Sequence, residues 1–330
     1  MNKTALDLQH RILALISRGV TRPTSDNEFN ELACAIFSFQ FKANTVYRAY
    51  CLQQKRTPET VRHWMEIPAV PTSAFKEFSI ACFPVEEAVA VFHTSGTTRE
   101  KAGKHYFKTL ELYNAAIRPN FEAHLQPGNL TAMSLIPPDE NSSLAHMIDV
   151  VAPHAQTFRP DVAEPLLLLG TAFGFLNLFD QGVRIKLPAG SRVMETGGFK
   201  GRSREIGKPE LYQMFENCLG VPANNVVNEY GMTELSTQFY DETLRVGRQS
   251  DVKHAPPWSR VVIIDPNTGI EAHKGEQGLI RVFDLANLWS AMCIQTEDLG
   301  VAHEDGFEIL GRAAGAEVRG CSLNAEELRI

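Results

Sequence analysis

The sequence predicts an α/β protein in three parts. These are a helical N-terminal segment over residues 1–90 packed on the core, a mixed α/β core over 91–253 and a β-rich subdomain over 254–330. Three observations predict this. Apolar residues near the start recur at helical spacing. From residue 88 onward, short β-rich runs alternate with helical stretches, the pattern of a largely parallel sheet. Beyond residue 253 the runs are separated by turn residues, as in hairpins.

Leu6, Leu8, Ile12, Leu13, Leu15 and Ile16 share one broad face of the first helix. Ser25 can cap a second helix running from about residue 26 to residue 52. Thr57 followed by Pro58 reads as a further helix start, with proline at the first helical position. The run AVAVFHTSGTT is a strand that ends in a Ser/Thr/Gly loop. After it come TAMSLIP as a strand, 166–179 as a buried helix, RVMETGG as a strand, 209–219 as a helix and NVVNEYG as a strand. WSRVVIID, GLIRVFD, CIQTEDLG and GFEIL supply the C-terminal strands, with 267–269 as one of their turns.

Bulk properties narrow the function. The chain has 330 residues, 44% of them hydrophobic, which is enough for a large core. Charged residues make up 22%, so the composition is that of a folded protein. A net charge of -7 with no dense Lys/Arg block speaks against binding a nucleic-acid backbone. The N-terminal stretch carries charged and polar residues through its apolar run, unlike a signal peptide. The most apolar segment, 165–179, is too short to span a membrane. Cys34, Cys51, Cys82, Cys218, Cys293 and Cys321 show no CxxC spacing, which argues against a zinc site and a secreted disulfide framework. A reducing cytoplasm is the expected compartment.

Three constellations carry chemistry. In FHTSGTTREKAGKHY, residues 92–106, Ser, Thr and Gly can wrap N–H groups and hydroxyls around phosphate oxygens, and Lys104 adds a positive charge. The glycine spacing differs from the common P-loop, and Lys104 is not followed by Ser or Thr. Taken alone, such a loop is more often a simple turn. In NEYGMTELSTQFYD, residues 228–241, a carboxylate after a tight glycine turn can hold Mg²⁺ against phosphates, or can merely cap a strand end. In the third, 296–312, Asp298 can accept hydrogen bonds from ribose hydroxyls and Arg312 can pair with ribose or phosphate. Singly, they read as a turn residue and a solvated cation.

Together and in this order, the three resemble the adenylate-forming superfamily of acyl-CoA synthetases, peptide-synthetase adenylation domains and luciferases. The chain is more closely similar to the acyl-protein synthetase family, the ligase component of the fatty acid reductase complex of luminous bacteria. The matching stretches are IPAVPTSAFKEF, HTSGTT, TGGFKG, EYGMTEL, PPWSRVVIIDPNTG, VFDLAN, QTEDLG and GRAAGAEVRGCSL, from about residue 67 onward. The resemblance implies the large-domain fold of adenylate-forming enzymes without a C-terminal lid domain. It implies ATP and Mg²⁺ as cofactors. Thr94, Ser95, Gly96, Thr97 and Thr98 would cradle the β- and γ-phosphates, with Lys104 nearby. Gly197 and Gly198 would form a loop against adenine, Tyr230 would stack on it beside Gly231, and Thr233 would touch the α-phosphate. Glu234 would ligate Mg²⁺, Asp298 would bind ribose and Arg312 would contact ribose at the hinge. His146 would line the acyl pocket, although a lone His is more often a structural residue.

The implied reaction joins a carboxylic acid, a fatty acid by this likeness, to AMP. Cys321 matches the family's acceptor cysteine, and its thiolate would take the acyl group as a thioester; otherwise it is a small buried residue. Arg319 beside it would favour the thiolate. Phe173, Phe175, Leu176 and Phe179 can line an apolar pocket or simply fill the core. An acyl-reductase or a carrier protein is the implied partner, with no nucleic acid and no membrane insertion. Two alternatives stay open: a ligase that passes its acyl group directly to CoA or a carrier protein, and a nucleotide-binding subunit without catalysis.

Overall fold

The computed structural model describes residues 3–94, 102–197 and 206–313. In chain order the helices are α1 Lys3–Ile16, α2 Asp26–Ala43, α3 Thr45–Gln53, α4 Ala74–Glu77, α5 Glu111–Leu125, α6 Ser143–Val151, α7 Ala172–Asp180, α8 Lys208–Met214 and α9 Thr243–Val246. The strands are β1 Val70–Pro71, β2 Ala90–His93, β3 Lys104–Phe107, β4 Thr131–Ser134, β5 Gln156–Thr157, β6 Leu166–Thr171, β7 Arg192–Thr196 and β8 Val226–Tyr230. They continue with β9 Phe239–Asp241, β10 Lys253–His254, β11 Ser259–Ile264, β12 Gln277–Asp284, β13 Cys293–Ala302 and β14 Phe307–Arg312.

The chain divides into two compact units. The first comprises Met1–Ala116, Met232–Thr237 and Ala255–Ile330. Its antiparallel sheet has the order β11-β12-β13-β14, and β1 adds to β13 in parallel. A separate hairpin joins β2 to β3. Helix α1 buries Ala5, Leu8, Gln9, Ile12, Leu15 and Ile16. Helix α2 begins as the sequence predicts, with the Ser25 hydroxyl accepting from the Glu28 N–H.

The second unit comprises Ile117–Gly231 and Gln238–His254. Its strands run in the order β10-β9-β8-β7-β6-β4-β5. From β8 to β5 every neighbouring pair is parallel, and β9 and β10 complete the edge in antiparallel fashion. Parallel strands buried on both faces read as continuous apolar runs, as Leu166 to Leu169 do. Met133, Phe175, Phe179, Val193, Leu211 and Phe215 belong to one buried cluster of this unit. Phe175 and Phe179 each meet Phe215 nearly edge-on, so two of the four candidate pocket residues are plain core.

Three sequence expectations change. The buried helix expected at 166–179 is a strand followed by a helix. Four adjacent leucines carry no period, and the junction is written by Thr171, whose hydroxyl accepts from the Gly174 N–H at 2.9 Å. The helix expected from 26 to 52 breaks at Asn44. Its N–H closes α2 on the Gln40 carbonyl, and its side chain caps α3 by accepting from the Tyr47 N–H. The helix start at Thr57 and Pro58 is a single turn, in which Thr60 and Val61 both donate to the Thr57 carbonyl.

Candidate functional site

In the first unit, the strand β2 ends at His93 and the candidate phosphate loop begins at Thr94. The Thr94 N–H donates to the Gly103 carbonyl at 2.9 Å, and the Gly103 N–H returns to the Thr94 hydroxyl at 2.8 Å. The loop is thus pinched shut at its base. Gly103 allows this: a Cβ there would lie 3.1 Å from the Phe75 backbone. Ser95, Gly96, Thr97 and Thr98 lie outside the described residues, as do Gly198 and Cys321. Lys104 pairs with His93 across the hairpin and is exposed.

Thr233 comes to the same place. Its hydroxyl donates to the His93 carbonyl at 3.3 Å, so the Met232–Thr237 turn and the foot of the Ser/Thr/Gly loop adjoin within the first unit. Leu235 closes that turn on the Met232 carbonyl, and Glu234 is buried within it. Asp298 lies opposite Arg312 in the β13–β14 register. It is buried, whereas Arg312 reaches sideways to ion-pair with Glu297.

In the second unit, Gly197 follows β7 directly and Tyr230 ends the neighbouring β8. Gly197 has φ +72°, and no atom of the other described residues lies within 4 Å of where a Cβ would stand. A left-handed glycine suits a loop whose backbone is approached closely by a planar ring. The Tyr230 ring lies 6.2 Å from Phe239. Gly231 is constrained, since a Cβ there would meet the Glu229 carboxylate at 2.3 Å. His146 sits on α6, where burial lowers its affinity for a proton while Asp149 opposes the shift.

Several polar residues around these positions belong to none of the expected site sets. The Glu229 carboxyl is fully buried, accepts from the Thr196 hydroxyl and is pushed up to about 7 by burial. The Glu195 carboxylate accepts from Asn228 at 2.6 Å and from Tyr212 at 3.2 Å, and burial raises its proton affinity too. In the first unit, His105 and Asn287 bond the Thr233 and Glu234 carbonyls. Alternation along β3 flags His105, because Lys104 faces out and the next residue faces in. The five described cysteines are free thiols; burial pushes Cys51 and Cys293 up to about 12, far from a reactive thiolate.

The family model described as "Acyl-protein synthetase, LuxE" matches residues 151–328, more than half of the chain. The chain belongs to this acyl-protein synthetase family. One relative, the long-chain-fatty-acid–luciferin-component ligase of Aliivibrio fischeri, is 24% identical over 336 residues, covering 89% of this chain and 87% of the ligase. Among solved structures, ATP-bound MatB from Rhodopseudomonas palustris superposes with a TM-score of 0.51 at 17% identity. That match covers 70% of this chain and 49% of MatB, so the chain spans about half the length of the first structures it matches. A 2-hydroxyisobutyryl-CoA ligase in the postadenylation state reaches a TM-score of 0.64 at 13% identity, over 93% of this chain and 74% of the ligase. These likenesses show that the acyl-protein synthetase chain has the mixed α/β fold of adenylate-forming enzymes. No described helix is long and apolar enough to cross a membrane.

Proposed function

We propose that this chain is an AMP-forming acid–thiol ligase that activates a fatty acid as its acyl-adenylate and transfers the acyl group to a protein cysteine. Membership of the acyl-protein synthetase family supports the ligase class. The relative from Aliivibrio fischeri, named as a long-chain fatty acid ligase, supports the substrate. The observation that carries the reading to particular residues is the Thr233 hydroxyl on the His93 carbonyl, which supports bringing Thr233 and the start of the Ser/Thr/Gly loop to one bound phosphate chain.

In the proposed reaction a carboxylate oxygen of the acid attacks the α-phosphorus of ATP. The bond from that phosphorus to the bridging oxygen breaks, and pyrophosphate leaves. A carboxylic acid is already ionised near neutral pH, so no base is required. The enzyme's task is to position the reactants and offset charge. Thr94, Ser95, Gly96, Thr97 and Thr98 are assigned to the β- and γ-phosphates, Lys104 to their charge and Thr233 to the α-phosphate. Gly197, Gly198, Tyr230 and Gly231 are assigned to adenine, Asp298 and Arg312 to ribose, and His146 to the acyl pocket.

Mg²⁺ fits the donor set. Among the described residues no group of three or more His, Cys, Asp or Glu side chains could hold a metal. A single carboxylate on a tight turn, Glu234, suits an ion that takes one or two protein ligands and completes its shell with phosphate oxygens and water. When bound, Mg²⁺ would supply charge stabilisation for the departing pyrophosphate.

In the second step the Cys321 thiolate attacks the acyl carbon, the bond to the phosphate oxygen of AMP breaks and a thioester remains. An acyl-reductase or a carrier protein would then take the acyl group. The free thiols support a reducing, cytoplasmic setting.

The test is ATP–pyrophosphate exchange with octanoate, tetradecanoate and hexadecanoate, together with intact-protein mass for wild type and Cys321→Ser. Exchange with at least one acid, and a hydroxylamine-labile acyl adduct on wild type alone, is the expected result. Exchange without any adduct would move the acceptor to CoA or a carrier protein. No exchange with any acid would overturn adenylation.

A further inference from the structure

The turn at Met232–Thr237 is held by side chains that come from far along the chain. A ring nitrogen of His105, Nδ1, lies 2.7 Å from the Thr233 carbonyl oxygen. A carbonyl only accepts, so Nδ1 carries the proton. Burial pulls His105 down to about 4, against its bonds to Thr233 and to the Asn287 side chain, so the ring is neutral in ordinary buffers. The Asn287 amide donates to the Glu234 carbonyl at 2.9 Å. A little further along the turn, the Asp284 carboxylate accepts from the Ser236 N–H and the Thr237 hydroxyl, both at 2.8 Å. Trp258 donates to the same Thr237 hydroxyl at 3.1 Å.

His105, Asp284 and Asn287 are each at least 98% buried. Burying that many polar groups is costly unless each finds its partner, and a satisfied network fixes one conformation. The two carbonyls of consecutive residues Thr233 and Glu234 are held from two different elements: strand β3 and the loop after β12. Gln40 of α2 fixes that loop in turn, donating to the Asn287 and Leu288 carbonyls at 2.9 and 3.0 Å. The bracing is therefore aimed at the two successive peptides on either side of Glu234, the first of which links the side chains assigned to phosphate and to Mg²⁺.

We propose that His105 and Asn287 are positioning residues for adenylation: they clamp the two successive peptides that flank Glu234 so that the Thr233 hydroxyl and the Glu234 carboxylate need not reorganise when the phosphates arrive. The inference rests on the adenylation reading above. Its chemical logic is that a displacement of about 1 Å in a positioning group can slow a reaction by about a hundredfold. A clamp of this kind affects kcat more than substrate binding, because the interactions it aligns matter most in the transition state.

The experiment uses the full chain as wild type, His105→Phe, His105→Asn and Asn287→Leu. Phenylalanine keeps the ring packed against Phe75 and Phe107 but removes the donor. Asparagine can restore a donor near the Nδ1 position. Three properties are measured: ATP–pyrophosphate exchange with tetradecanoate, the thermal midpoint, and amide hydrogen exchange of residues 232–237 in the ligand-free protein. The expected result is a kcat about a hundredfold lower for His105→Phe and Asn287→Leu, with the KM for ATP within about threefold of wild type. His105→Asn recovers most of the rate, and faster amide exchange is confined to 232–237. A kcat unchanged in both donor-removing variants overturns the proposal. So does a loss that follows the thermal midpoint and is as large for His105→Asn as for His105→Phe. If wild type itself shows no exchange with any acid, the adenylation reading fails. Amide exchange then decides the clamp: faster exchange at 232–237 in His105→Phe keeps it, and unchanged exchange overturns it.

Discussion

Replacing Gln40 by leucine tests whether α2 holds the loop after β12. Gln40 has no exposed surface, and three hydrogen bonds satisfy its amide. Its Nε2 donates to the Asn287 and Leu288 carbonyls, and its Oε1 accepts from the Met292 N–H at 3.1 Å. Leucine nearly matches the volume of glutamine, so packing is retained while three buried backbone groups lose their partners. Each such group costs about 1–3 kcal/mol, and partial relaxation leaves an expected loss of about 3–5 kcal/mol. Such a loss exceeds the range of most point substitutions and lowers the thermal midpoint by about 6 °C. The assay is urea denaturation followed by circular dichroism, comparing wild type, Gln40→Leu and the exposed control Gln53→Leu. A loss below about 1 kcal/mol, within the ordinary spread of surface changes, would refute the reasoning, because it would mean that the three groups find partners without Gln40. At temperatures where the variant stays folded, pyrophosphate exchange should also fall, since Asn287 is carried by the same loop.

The geometry leads to three further outcomes. Glu234→Gln and Asp298→Ala should each abolish most ATP–pyrophosphate exchange without loss of far-ultraviolet circular dichroism; wild-type exchange in both would sink the assignment of nucleotide-binding roles. Glu229 is pushed up to about 7 by burial from an ordinary value of 4.5. Between those values the folded chain keeps a proton that the unfolded chain has released, so this group's contribution is full below pH 4.5 and is lost as pH rises through 7. Glu229→Gln should therefore be more stable than wild type at pH 8 by about 2–3 kcal/mol, with the difference shrinking toward pH 5. Equal gains at both pH values in denaturant titrations would show that the carboxyl does not titrate there. Gly231→Ala should weaken ATP binding measured by calorimetry, because its Cβ would stand 2.3 Å from the Glu229 carboxylate and must displace it; unchanged affinity would show that the turn accommodates the methyl group.

The residues legible in the sequence are those whose chemistry is local. TSGTT and YGMTE draw attention because glycines and hydroxyls side by side could surround a phosphate, the role proposed for them, and the alternating runs on either side mark their strands. The four leucines of β6 carry no period, so a strand buried on both faces cannot be told from a helix until Thr171 is seen to cap α7. Asn44 hides its role differently, since one polar residue within a helical pattern can be surface or a double cap. The clamp is harder still. His105 meets a carbonyl 128 residues away, and Gln40 reaches one 247 residues away, separations across which no local pattern runs. VFDLAN is visible as a family stretch, yet nothing in its letters says that Asp284 and Asn287 both serve one turn. Lys104 draws attention as a charge near a phosphate loop, while its neighbour His105 makes the buried contact. The same strand supplies both, one side chain outward and one inward. In this fold the residues assigned to substrate are written as motifs, and those that hold them still are dispersed, because motif spacing answers to the ligand and bracing answers only to the three-dimensional packing.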